Sequence, residues 1–188
     1  MSAIILASQS PRRKQLLEWA EVDFEVIVNP TDETYPDNLP VDEVPVYIAR
    51  KKAEAILPGS DGKLIIAADT IVVIGEEIIN KPANKEEAIQ MLSKLNGRTH
   101  QVITGVVMMK GNQQTSFADI TDVEFHTLTP EQISFYVDKY QPYDKAGAYA
   151  IQEWIGVVGI KGIHGDFYNV MGLPVSRVLQ CLKEFSQE

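Results

Sequence analysis

Cysteine is almost missing from this chain. Its 188 residues hold one, Cys181, which excludes an internal disulfide and any cysteine-cluster metal site. Histidine is nearly as scarce. His100, His126 and His164 lie far apart and show no metal-ligand spacing, so they read as structural. Long apolar runs are absent as well. Nothing approaches the ~20 residues that a spanning helix needs, and residues 1–8 carry no basic leader and too short an apolar stretch for an export signal. The expectation is a cytoplasmic protein with no membrane partner. Positive charge is also short: 17 Lys and Arg stand against 26 Asp and Glu, a formal net charge of −9. That argues against general affinity for DNA or RNA, whose phosphates attract basic surfaces. A small anionic substrate remains open, provided that a few cations are deliberately placed for it.

What is present suits an ordinary globular domain: 45% hydrophobic and 23% charged residues, in a length typical of one unit. The expectation is a single domain over residues 1–188. Residues 4–6 read as a short apolar strand, and Ser10-Pro11 as the capped start of a helix. A strand is expected over 24–28, a loop over 29–40, and a second helix that Pro58-Gly59 stops. Residues 64–68 form a continuous apolar run, as in a strand buried on both faces. Gly75-Glu76 marks a hairpin turn between 71–74 and 77–79. Asn84 with Glu87 resembles a capping box. A longer hairpin surrounds Gly111-Asn112, Thr129-Pro130 opens another helix, residues 147–164 read as β-like, and a last helix begins near Pro174, with Cys181 on its apolar face as a core residue. Helices and strands mix without strict alternation. This predicts an α/β fold around one mixed, mainly central sheet flanked by helices.

Three groups of residues could do chemistry. In Ser8-Gln9-Ser10-Pro11-Arg12-Arg13 a strand runs into a helix whose first N–H groups lack internal partners. Those groups and the helix dipole favour an anion, and two guanidiniums add donor forks suited to phosphate. A capped surface helix with solvated arginines is the plainer account. Asp69 ends the apolar run, where a carboxylate must be solvated, paired or metal-bound; a turn aspartate bonded to backbone is its plain counterpart. Lys52 and Lys81 each read alone as surface cations, and Asp32-Glu33 as a solvated acidic loop or as oxygen ligands for a divalent ion. The chain has neither the glycines of a P-loop nor a Gly-x-Ser-x-Gly elbow.

Taken together these residues form a pattern. Residues 6–13, Asp32-Glu33, Ala49-Arg50-Lys51-Lys52-Ala53, Ala67-Ala68-Asp69-Thr70, Asn80-Lys81-Pro82, residues 95–100, residues 144–152 and Asn169-Val170-Met171-Gly172-Leu173-Pro174 stand in the order and spacing of the Maf family. The chain resembles that family over nearly its whole length. The resemblance implies a house-cleaning nucleotide pyrophosphatase, with an α/β fold and a nucleotide-binding cleft, that cleaves the α–β bond of a nucleoside triphosphate to a monophosphate and pyrophosphate. It assigns Ser8, Arg13, Glu33, Lys52, Asp69 and Lys81 to the catalytic set, with Asp69 as proton acceptor. It also implies a divalent cation, magnesium or manganese, for which Glu33 and Asp69 are the candidate ligands. Arg12, Thr70 and Gln152 resemble the branch that acts on dTTP and UTP. Two departures stand near the substrate edge: Asn80 precedes the lysine where glycine is common, and Glu153-Trp154 follow Gln152 where glycine is usual.

The expected partner is thus a small-molecule nucleoside triphosphate, and a homodimer is compatible with the pattern. Gln152 offers a donor and an acceptor, which can match the N3–H and a carbonyl of uracil or thymine. Competing readings are a pyrophosphatase for modified or purine nucleotides, and a nucleotide-sensing regulator of septum formation linked to arrest of cell division.

Overall fold

The computed structural model describes residues 4–186. They gather into two compact units. The first holds residues 4–69, 104–119 and 172–186, and the second holds 70–103 and 120–171. Among the described residues one seven-stranded mixed sheet runs in the order β2-β1-β3-β5-β6-β7, with β4 paired to β3. The strands are β1 (Ile4–Leu6), β2 (Glu25–Val26), β3 (Leu64–Ile74), β4 (Glu77–Ile79), β5 (Thr99–Lys110), β6 (Gln113–Phe125) and β7 (Ile160–His164). Within the same described residues seven α-helices accompany them: α1 (Pro11–Trp19), α2 (Val44–Glu54), α3 (Lys85–Leu95), α4 (Pro130–Tyr140), α5 (Trp154–Gly159), α6 (Phe167–Met171) and α7 (Val175–Leu182). The α/β class with a mixed sheet is as expected.

In the first unit β1 is parallel to both β2 and β3, with Ile5 opposite Glu25 and Ile65. Parallel strands need both faces covered, and the sequence supplies this with small residues on α2. Ala49 and Ala53 pack with Ile5, Ala7, Ile65, Ala67, Val107 and Met109 into one buried cluster. Small side chains let α2 approach closely, and Gly105 of β5 lets it closer still. A Cβ at Gly105 would stand 2.2 Å from the Val46 amide nitrogen.

In the second unit β4 is antiparallel to the end of β3, and β7 to the end of β6. Gly75 takes φ 64 in the turn before β4, where a side chain would be strained. Helix α4 opens with a full capping box: the Thr129 side chain accepts from the Gln132 N–H, and Gln132 reaches back to the Thr129 N–H.

Several local expectations need correction. Ser10 is the N-cap residue of α1, but its side chain makes no cap bond; its N–H donates to Ser8 Oγ instead. The strand expected over 24–28 shortens to Glu25–Val26. Asp69 does not end its strand, because β3 runs on to Ile74; a paired carboxylate does not oblige the ladder to stop. Asn84 caps α3, accepting from the Glu87 N–H, but Glu87 accepts from Ala83 rather than closing the box on Asn84. The stretch 147–164 is β only from Ile160 onward; before it come a 3₁₀ turn (Ala146–Ala148) and α5. Cys181 is half-buried rather than in the core.

Candidate functional site

The first unit assembles six of the residues that the sequence singled out. Ser8 follows β1 and is buried, as is Arg13 on α1. Arg13 is held at two points: Nη1–H donates to Ser8 Oγ at 3.0 Å and Nε–H to the Gly172 carbonyl at 2.7 Å. Ser8 therefore fixes both the turn into α1 and the guanidinium. Burial pulls the Arg13 pKa below its ordinary value, Asp69 opposes this, Arg12 adds to it, and Glu33 again opposes it. Arginine stays charged through such shifts. Arg12 stands beside it, half-buried. The N-cap Ser10 at the start of α1 makes no side-chain cap bond.

Lys52 projects from α2 and bridges two carboxylates. Its Nζ lies 2.7 Å from Asp69 Oδ1 and 2.8 Å from Glu33 Oε1. Asp69 is 14% exposed and Lys52 18%, whereas Glu33 is 52% exposed. The inner pair is thus sheltered from solvent screening and the outer carboxylate is not. The neighbouring Asp32 plays a different part. It accepts from the Thr34 N–H at 3.0 Å, and that turn, with Lys51 nearby at 3.7 Å, shapes the acidic loop. Among the described residues no three His, Cys, Asp or Glu side chains gather as a metal cluster. Glu33 and Asp69 form a two-carboxylate, all-oxygen set. That donor chemistry fits magnesium or manganese, which bind through one or two carboxylates and complete their shell with substrate phosphates and water.

The second unit holds Thr70, Lys81 and Gln152. Thr70 continues β3 and is half-buried, while Lys81 lies exposed just after β4. The strand end that carries Lys81 is tied to the segment carrying Gln152, for the Gly147 N–H donates to the Asn80 carbonyl at 3.1 Å. Gly147 has φ 69, and its Cβ would meet Val72 at 2.9 Å. Ala148 follows at φ 59, fully buried. A non-glycine residue held there stores strain and persists only where its surroundings fix it.

Those surroundings include residues that no sequence motif marks. Tyr136 of α4 accepts the Ala150 N–H at 3.2 Å and donates its own hydroxyl to Glu153. Lys145 is buried, paired with Asp144 at 2.8 Å and facing Glu153 at 3.7 Å. His100 Nε2 shares a 2.7 Å hydrogen bond with the Tyr149 hydroxyl, and both rings stand edge-on to Phe125. The reading of His100 as structural agrees with this packing. Nothing in the spacing of Tyr136 or His100 singles them out, since their partners lie 14 to 49 positions away. Among the described residues no helix is long and apolar enough to cross a membrane.

Similarity to known proteins bears on this arrangement. A profile of the family described as Maf-like protein matches residues 3–185. A dTTP/UTP pyrophosphatase of Parabacteroides distasonis is 52% identical over 184 residues, covering 97% of this chain and 95% of that protein. Proteins of the same description from Cytophaga hutchinsonii and Bacteroides thetaiotaomicron are 51% and 50% identical, over 96% of this chain in each case and 83% and 95% of theirs. Among solved structures, the Staphylococcus aureus Ham1 protein superposes with a TM-score of 0.55 at 19% identity, covering 98% of this chain and 99% of that one. That likeness concerns the fold.

Proposed function

The chain belongs to the Maf family, and from that premise we propose that it hydrolyses dTTP and UTP to the nucleoside monophosphate and pyrophosphate. The observation that carries this reading is the bridge from Lys52 to Asp69 and Glu33, with the buried Arg13 held nearby. It combines cations for phosphate oxygens with a carboxylate for a water proton. Relatives about 50% identical over nearly the whole chain are named for that reaction.

In the proposed reaction a water oxygen bonds to phosphorus while the bridging P–O bond of the α–β anhydride breaks. Asp69 takes the water's proton. Its Oδ1 is engaged by Lys52 at 2.7 Å, which leaves Oδ2 to orient and deprotonate the nucleophile. Arg13, Lys52, Lys81 and the first amides of α1 offset the charge that builds on the phosphates. Ser8 keeps Arg13 aimed through their hydrogen bond. Glu33, and Asp69 through the second lone pair of Oδ2, would hold a divalent ion. When bound, such an ion supplies phosphate polarisation and a more acidic water.

Gln152 reads the base edge in this proposal, with Arg12 and Thr70 supporting the choice. Cytosine lacks the N3–H, so one group of the Gln152 amide would go unpaired against it once the bound base shields that amide from water, which is costly. The whole 188-residue chain acts as one catalytic domain, in the cytoplasm. The deciding experiment is purified protein against all ribo- and deoxynucleoside triphosphates with magnesium or manganese, scoring monophosphate and pyrophosphate together. Turnover of dTTP and UTP above CTP and the purines is expected. Preference for a purine would overturn the substrate, and binding without turnover would overturn the enzyme.

A further inference from the structure

Gln152 is unusual among its neighbours. Of residues 145–155 it alone is exposed. The chain on either side is pinned, so the amide stands on a fixed base.

The pinning is specific. On one side Ile151 is buried, and its carbonyl packs so closely against Gly156 that a Cβ there would lie 1.6 Å from the oxygen. On the other side Glu153 is fixed through both backbone groups and through its side chain. Its N–H donates to the Ala150 carbonyl at 3.1 Å, and its carbonyl accepts from Gly156 at 2.9 Å. Its carboxylate accepts the Tyr136 hydroxyl and faces Lys145. Tyr136 is fully buried, stacks on Tyr140, and holds the Ala150 N–H with the same hydroxyl. Trp154 adds an edge-on contact with Phe135, also on α4, at 4.9 Å.

We infer that Glu153 is a positioning residue for base selection: its carboxylate, locked to Tyr136 and Lys145, holds the 149–153 turn so that the backbone from which the Gln152 amide projects keeps one position. The physical reason is preorganisation. A site that must tell a donor–acceptor edge from its inverse gains discrimination only when its own amide cannot turn or shift to suit the wrong base. Glu153 touches no reacting atom in this scheme and acts through its neighbour. The inference rests on the proposed reading of Gln152.

The test compares wild type with Glu153→Ala, Glu153→Gln and Tyr136→Phe. Two quantities are measured: the ratio of kcat/KM for dTTP over CTP, and amide hydrogen exchange across residues 149–153 without nucleotide. For Glu153→Ala and Tyr136→Phe the ratio falls about tenfold, mainly through a higher KM for dTTP, and exchange in the turn quickens. Glu153→Gln keeps an acceptor oxygen for the Tyr136 hydroxyl and restores most of the ratio. Should Glu153→Ala fail to fold, Tyr136→Phe, which removes one oxygen, carries the same expectation. An unchanged ratio in a folded variant overturns the inference, as does unchanged exchange. A wild type that shows no preference for dTTP over CTP, with exchange still quickened in the variants, instead overturns the reading of Gln152 and leaves the clamp standing.

Discussion

Asp69 is mostly buried and, as a carboxylate withdrawn from water requires, paired with a cation, Lys52, at 2.7 Å. Replacing it with asparagine keeps the shape, removes the proposed proton acceptor and leaves Glu33 as the carboxylate beside Lys52. Steady-state turnover of dTTP by Asp69→Asn is expected to drop by about 10²- to 10⁴-fold, the usual share of general acid–base catalysis, with the circular dichroism spectrum unchanged. Near-normal rates would remove Asp69 from the mechanism. His100 offers a residue-scale prediction of another kind. Burial lowers its pKa from 6.5 to about 4, with a small opposing effect from Asp122. The unfolded chain therefore binds a proton between pH 6.5 and 4 that the folded chain refuses. Stability is full above pH 6.5 and declines as pH falls toward 4, by about 3 kcal/mol from this group, since one unit corresponds to ~1.4 kcal/mol. Urea midpoints measured across that range should fall with acidity in the wild type. The slope should be shallower in His100→Phe, whatever that variant's absolute stability.

Elements follow local chemistry where the sequence states it in turn and cap residues. Thr129-Pro130 opens α4 as expected, and Gly75 turns the chain between β3 and β4, because these signals act over three or four residues. Other elements resist such reading. The glycine-rich segment 147–159 lies within the stretch that reads as β-like, yet Gly147, Gly156 and Gly159 each serve a close approach instead: to Val72, to Ile151 and to Leu128. The partners of Gly147 and Gly159 come from remote segments, so no short window of sequence displays them. The same holds for Gly105. Gly105→Ala would drive a methyl group into the backbone at Pro45 and Val46, where α2 begins. The structure must move α2 or strain β5, and overpacking of this kind costs about 1–3 kcal/mol or more. Because α2 carries Lys52, turnover should fall along with the thermal midpoint. A Gly105→Ala protein with wild-type stability and rate would show that α2 does not sit as closely as described.

For the whole molecule the governing fact is an acidic chain, net charge −9, set against a polyanionic substrate. Under the proposed function that attraction is local, through the proposed set Arg12, Arg13, Lys52 and Lys81 and a divalent ion that would bring positive charge with the nucleotide. Activity is therefore expected to vanish in excess chelator and to return with magnesium or manganese, measured as pyrophosphate release. Full activity in metal-free buffer would contradict the role given to Glu33 and Asp69. Much of this was legible in the sequence by itself: an α/β class from mixed helix and strand patterns, the absence of disulfide and cysteine metal sites from a single cysteine, and the candidate residues from eight short stretches in register. Tertiary structure decided the rest. It made Arg13 a buried group held by Ser8 and Gly172, made Lys52 the bridge between Glu33 and Asp69, and tied Tyr136 to Glu153 beside Gln152. The reason is distance. Caps, turns and periodic faces are interactions among near neighbours, and residue type alone specifies them. A buried cation or a locked carboxylate depends on which groups from remote segments replace its lost water, and only the folded chain brings those groups together.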